Sequence, residues 1–262
     1  MRYLVLCFLL FSMAYVSGGT IDPSVSDDKY VKYGEDYECV LPIMGILDDN
    51  LNSNFRGSCV VIDRYHILTA AHVVQNSITQ HVLYDNKAYP CLIVAIHAKF
   101  NMKKKASCDI AIARLQRPID LDFYPELYKD RDEEDKVCGL AGYGFHGNFK
   151  TGYLISNYDN KKRAGSNIID DIEGDVLTYS IGQNKKTTLE FLISPGDSGG
   201  GLFINQKLAG IHSFIYSMKG KADGKYGNVG CSTRVSDYID WIKQTKKIIK
   251  TVIGEQDEKK RM

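Results

Sequence analysis

The chain has 262 residues, of which 44% are hydrophobic and 25% charged, with 33 Lys and Arg against 32 Asp and Glu. That length and apolar share suffice for one large all-β domain or two ordinary ones around a real core. A net charge of +1 creates no long-range field, which argues against binding driven by charge to nucleic acid or to an acidic membrane surface.

The first residues carry one positive charge at Arg2, an apolar run over 4–16, and the small residues Ser17, Gly18 and Gly19. This is the pattern of a secretory signal peptide, too short to span a bilayer, and Val16 and Gly18 at the −3 and −1 positions predict cleavage after Gly18. Residues 1–18 are therefore expected to be removed and the protein to be secreted and extracellular. Residues 19–38 are polar and rich in Asp, and read either as a wrapped N-terminal strand or as a propeptide. Cys7 leaves with the leader, while Cys39, Cys59, Cys91, Cys108, Cys138 and Cys231 remain. In an oxidising compartment an even set permits up to three disulfides whose connectivity the sequence leaves open. Cys59, inside an apolar run, reads equally well as a buried thiol. The spacing lacks C-x-x-C and a following His pair, so no zinc site is expected, and no other metal or cofactor is implied.

Short apolar or alternating segments follow at 58–62, 66–69, 81–84, 92–96, 110–115, 137–141, 176–180, 202–204 and 209–214. Turn signals separate them, such as Asp85-Asn86, Pro195-Gly196 and Asn205-Gln206, which predicts an all-β sandwich or barrel rather than βαβ units. From Val235 onward Tyr238, Ile239, Trp241, Ile242, Ile248 and Ile249 recur at helical spacing, with Ser236 or Asp237 as a cap, and predict one C-terminal helix. Residues 250–262 read as a charged, flexible tail, leaving 39–249 as the folded domain.

Three of these segments carry chemistry. Ile67-Leu68-Thr69-Ala70-Ala71-His72 runs an apolar strand into a histidine, and a hydroxyl nucleophile needs such an imidazole to take its proton. Asp109 opens the strand Ile110-Ala111-Ile112-Ala113-Arg114-Leu115, where a buried carboxylate can fix the tautomer of that imidazole and stabilise its cation. Ser194-Pro195-Gly196-Asp197-Ser198-Gly199-Gly200 presents a serine on a tight turn whose Gly196 and Ser198 N–H groups can face a developing oxyanion.

Together, in the order His, Asp, Ser, these motifs resemble the chymotrypsin/trypsin family of serine endopeptidases, since other Ser-His-Asp folds use a different chain order. Cys138 to Gly144, Gly210 to Phe214 and Val235 to Gln244 extend the resemblance over about 39–249. It implies two six-stranded antiparallel β-barrels with a C-terminal α-helix, and peptide hydrolysis through an acyl-enzyme on Ser198 with His72 and Asp109. It also implies that Asp197 pairs with a new N-terminal ammonium, that Ser213 sits beside Asp109, and that Leu192, Ile193, His212, Ser213, Phe214 and Ile215 line the substrate pocket. A monomer acting on protein or peptide substrates, without nucleic acid or membrane, is the expected form.

Three departures qualify the resemblance. Members that cleave after Arg or Lys carry an aspartate six positions before the nucleophile, where this chain has Leu192, so a buried guanidinium would lack a partner. His212 suits either a Glu or Gln side chain at P1, the substrate residue before the scissile bond, as in the family's glutamyl endopeptidases, or a structural role, and Ile215 suits small apolar P1 residues. The family's usual cysteines are missing, which calls for other pairings, and no Arg-Ile-Val-Gly-Gly activation site occurs, Lys32-Tyr33-Gly34 being a weak substitute. The alternative readings are a catalytically silent binding module on the same fold, or an esterase using the same triad.

Overall fold

The computed structural model describes residues 18–47, 54–103, 107–156 and 159–261. The expected leader, apart from Gly18, lies outside the described residues. The chain opens with β1 (Thr20–Ile21) and α1 (Asp27–Glu35), then makes β2 (Val40–Ile46), β3 (Asn54–Asp63), β4 (His66–Thr69), the four-residue helix α2 (Ala71–Val74), β5 (Thr79–Tyr84), β6 (Lys87–Ile96) and β7 (Ala111–Leu115). β2 to β7 close into a barrel in the order β2-β3-β4-β7-β6-β5. Val40, Ile43, Val60, Ile67, Leu68, Val82 and Ile112 on its strands are all fully buried. Closure removes sheet edges, so each of these strands is paired on both sides.

The second half comprises β8 (Val137–Gly142), β9 (Gly147–Asn148), β10 (Gly152–Tyr153), β11 (Arg163–Ile168), β12 (Asp171–Glu173), β13 (Val176–Ser180), β14 (Phe191–Leu192), β15 (Gly201–Ile204), β16 (Lys207–Ser217) and β17 (Asn228–Arg234). The all-β, chymotrypsin-like fold class with its C-terminal helix is as expected, and the second half, expected as a six-stranded barrel, is laid out as two sheets. The strands form a seven-stranded sheet, β11-β8-β15-β16-β17-β13-β12, beside a four-stranded sheet, β10-β9-β1-β14. The reason lies at the N-terminus: β1 inserts between β9, in parallel, and β14, antiparallel, and draws both into a sheet of their own.

Residues 19–38 are thus part of the folded domain. Thr20 and Ile21 are buried in β1. α1 has Asp27 and Asp28 in its first turn and Lys32 in its last, the charge order a helix dipole favours. The Arg163 guanidinium, 1% exposed, donates to both Asp27 oxygens at 2.5 and 2.6 Å and to both Asp159 oxygens at 3.0 and 2.8 Å. This four-bond fork ties α1 to β11. At the other end a 3₁₀ turn (Val235–Asp237) leads into α3 (Ile239–Arg261). The helix continues through 250–261, the residues expected as a charged, flexible tail. Its apolar side, including Ile242 and Ile249, packs on the first barrel's core. Among the described residues no helix is long and apolar enough to cross a membrane.

The cysteines also require a correction. All six described cysteines are thiols and none forms a disulfide. Cys39, Cys59, Cys138 and Cys231 are almost fully buried, where they fill space as small apolar side chains. Burial pushes the thiols of Cys39, Cys91 and Cys138 up to about 12 and that of Cys59 well above its ordinary value, so they stay protonated.

Candidate active site

Strand pairing assembles the site. β4 and β7 are antiparallel neighbours in a register that places Thr69 opposite Ala111. The residues just beyond those ends, His72 at the start of α2 and Asp109 before β7, are thereby brought together. The fully buried Asp109 accepts the His72 backbone N–H on Oδ1 at 2.9 Å and the His72 ring, through Nδ1, on Oδ2 at 2.7 Å. Oδ2 also accepts the Ser213 hydroxyl. With Nδ1 carrying the proton, the lone pair of the imidazole is on Nε2, and the ring remains 24% exposed. Ser213 therefore sits beside Asp109.

Ser198 comes from the second half, on the turn between β14 and β15. Its hydroxyl donates to the Ser213 carbonyl at 3.2 Å, and among the described residues no hydrogen bond joins it to His72. Substrate-free sites often hold this contact open, and rotation about the Ser198 Cα–Cβ bond redirects the hydroxyl. Within 194–200 the N–H groups of Ser194, Asp197, Gly199 and Gly200 all donate inside the fold. Among the described residues those of Gly196 and Ser198 have no acceptor. Two neighbouring amides left without acceptors are what an oxyanion requires.

The turn is pinned across the two halves by a residue the sequence reading did not single out. Ser58, on β3 and fully buried, donates its N–H to the Ser198 carbonyl at 2.8 Å. Its hydroxyl donates to the Gly196 carbonyl at 2.9 Å and accepts the Tyr143 N–H at 3.0 Å. Nothing in the local sequence marks Ser58, because its partners lie more than eighty positions away.

Asp197 anchors the turn from below. Its carboxylate is fully buried and accepts the N–H groups of Gly144 at 2.7 Å, Ser194 at 2.7 Å and Gly19 at 3.0 Å. Burial still dominates and raises it to about 6. Gly19 has φ +56, and a Cβ there would lie 2.0 Å from the Phe191 ring, so only glycine fits.

Beside Ser198 lies a cleft of about 210 Å³ lined by Ile193, Ser194, Pro195, Ser198, Ser213, Phe214 and Ile215. Of the substrate-pocket residues the sequence suggested, Ile193, Ser213, Phe214 and Ile215 face it. Leu192 is fully buried beneath. His212 is not brought to the cleft: it is fully buried, its Nδ1 lies 3.0 Å from Ser232 Oγ, and its Nε2 has no hydrogen-bond partner among the described residues. Burial pushes His212 down to about 3, so it is neutral at ordinary pH. Among the described residues no cluster of His, Cys, Asp and Glu is arranged to hold a metal ion.

A closed barrel and a second sheet meeting at a His-Asp pair and a serine turn define the chymotrypsin-like fold class of serine peptidases. A solved structure of HL collagenase has a similar fold, with a TM-score of 0.61 at 19% identity, covering 80% of this chain and 94% of that one. The sequence matches the Trypsin family over residues 46–242, and the chain belongs to that family.

Proposed function

We propose that the protein is a secreted serine endopeptidase that acts through an acyl-enzyme on Ser198 and prefers an apolar, non-basic P1 residue. One observation carries the reading: the buried Asp109 holds His72 in the tautomer that leaves Nε2 free to accept, while two amides on the serine turn have no acceptor among the described residues. In the reaction Ser198 Oγ attacks the scissile carbonyl carbon as its proton passes to Nε2, and the carbonyl oxygen takes negative charge facing the Gly196 and Ser198 N–H groups. The imidazolium then gives the proton to the leaving amine as the C–N bond breaks, and a water repeats the sequence to release the acid.

The preference follows from the cleft. Ile193, Pro195, Phe214 and Ile215 present apolar walls, and an Arg or Lys at P1 would bury a charge in a cleft whose described lining holds no carboxylate. A larger cavity of about 760 Å³ shares Phe214 and continues past Val176, Thr178, Tyr216 and Met218. That extent suits a peptide running on from P1 and favours an endopeptidase over an esterase. The test is labelling with a fluorophosphonate probe followed by a P1 library. We expect labelling at Ser198 and cleavage after apolar residues; an unlabelled, folded protein would overturn the reading, and preferred cleavage after Arg or Lys would overturn its specificity.

The same reading assigns the mature N-terminus. Cleavage after Gly18 would turn the Gly19 amide, 3.0 Å from Asp197 Oδ2, into an ammonium beside a buried carboxylate, so removal of the leader would itself complete the site without a separate zymogen. A chain extended by residues before Gly19 should lose about 100-fold in kcat/KM, the equivalent of an unmatched buried charge worth roughly 3 kcal/mol. The pH dependence has a definite sign. In the extended chain the folded Asp197 value, about 6, lies above the ordinary 3.8. Its stability is therefore full below about pH 4 and falls as pH rises through 6. The chain beginning at Gly19 should lack that fall, and parallel melting curves for the two forms between pH 4 and 8 would contradict the assignment.

A further inference from the structure

A row of paired residues crosses β13, β17 and β16 next to the cleft residue Ile215. Tyr179 is directly opposite Gly230, and Gly230 directly opposite Ile215. Directly paired residues of antiparallel neighbours present their side chains on one face. Ile215 lines the cleft beside Ser198, and the Tyr179 ring and the open side of Gly230 lie on the sheet face that the Ile215 side chain takes. A Cβ on Gly230 would lie 2.3 Å from Tyr179 Cε2 and 3.0 Å from Leu192 Cδ1. The ring thus fills the room that Gly230 leaves empty, with Leu192 against it.

The ring is also anchored at its polar end. Its hydroxyl lies 3.3 Å from Ser232 Oγ and 3.5 Å from His212 Nδ1, and Ser232 Oγ is itself 3.0 Å from His212 Nδ1. All three residues are fully buried. Swinging the ring aside would strand a hydroxyl in an apolar interior, which opposes the movement.

We infer that Tyr179 is the stopper of the P1 pocket, restricting the substrate residue there to small side chains such as Ala or Val, and that His212 and Ser232 act as positioning residues for its hydroxyl. The inference rests on the peptidase reading and deepens it by naming the substrate class. His212 acts through Tyr179 and makes no contact with substrate.

The experiment compares peptides that differ only at P1, carrying Ala, Val, Leu or Phe, on the secreted protein and on Tyr179→Ala and Tyr179→Leu. The wild type should favour Ala and Val. Tyr179→Ala should raise the Leu-to-Ala ratio of kcat/KM by about 10- to 100-fold, the range that one or two methylenes command in an apolar pocket. Tyr179→Leu, which keeps an apolar filling of shorter reach, should shift the ratio the same way by less. Wild-type turnover of the Leu or Phe peptide equal to that of Ala overturns the inference without any variant, as does an unchanged ratio in either folded variant.

A second measurement does not depend on turnover. In a Ser198→Ala background, toluene should bind only when Tyr179 is also replaced by Ala, with the largest NMR shifts at Ile193, Ile215 and Gly230. Equal binding with and without the ring, or shifts centred elsewhere, overturns the inference. Failure of the fluorophosphonate label would instead sink the peptidase reading, and the toluene result would still decide what the ring fills.

Discussion

The Ser198→Ala protein is expected to lose peptide turnover by about 10⁶-fold in kcat, the loss seen when the nucleophile of a cooperating Ser-His-Asp unit is removed. The change deletes one oxygen whose only hydrogen bond among the described residues is the 3.2 Å contact to the Ser213 carbonyl. The backbone carbonyl of residue 198 keeps its bond from the Ser58 N–H, so the turn should hold its shape. Melting should accordingly stay within about 0.5 kcal/mol of wild type, peptide should still bind, and fluorophosphonate labelling should vanish. Steady-state kinetics and melting on the same preparation check this. Turnover above about a thousandth of wild type would remove Ser198 from the role of nucleophile.

The second large effect is at Asp109. Asp109→Asn should lower kcat by about 10⁴-fold with KM little changed, and the structure dictates how. Oδ1 receives the His72 backbone N–H, a donor that cannot reverse. The amide oxygen of the new side chain must therefore stay at that position, which turns its NH₂ toward His72 Nδ1 and the Ser213 hydroxyl. Nδ1 is then obliged to accept, the ring proton moves to Nε2, and the base that should receive the Ser198 proton already carries one. The hydroxyl of Ser213 can rotate to accept, so folding should survive. Kinetics on peptide and ester substrates, together with NMR of the imidazole tautomer, would test it. A variant with near-normal kcat, or with the proton still on Nδ1, would contradict this account.

The residues proposed as catalytic were legible in the sequence because chemistry writes them into short local signals. A histidine ends a strand, an aspartate opens one, and a serine stands among glycines and a proline, each recognisable within ten positions. Most strands were legible for a similar reason, since 66–69 and 176–180 are short runs rich in aliphatic, β-branched and aromatic residues and match β4 and β13. β17 was missed. Its Asn228–Arg234 sequence is mostly small and polar, yet it lies centrally between β16 and β13, and six of its seven residues are buried. Burial there comes from neighbours on both sides and leaves no pattern in the strand itself. α1 was missed because its polar surface hides a fixed partner, Arg163, 136 positions away from Asp27.

By itself the amino-acid order determined the fold class, the order of the motifs and the types of reacting group, because those depend on local periodicity and on the functional groups chemistry demands. Only the tertiary structure decided that Ser58 pins the serine turn, that Gly19 reaches Asp197, that the cysteines remain thiols, and that His212 is buried away from the cleft. Each of these depends on register between strands distant in the chain. A shift of one residue there turns every side chain to the opposite face, and no property of the individual residues records it.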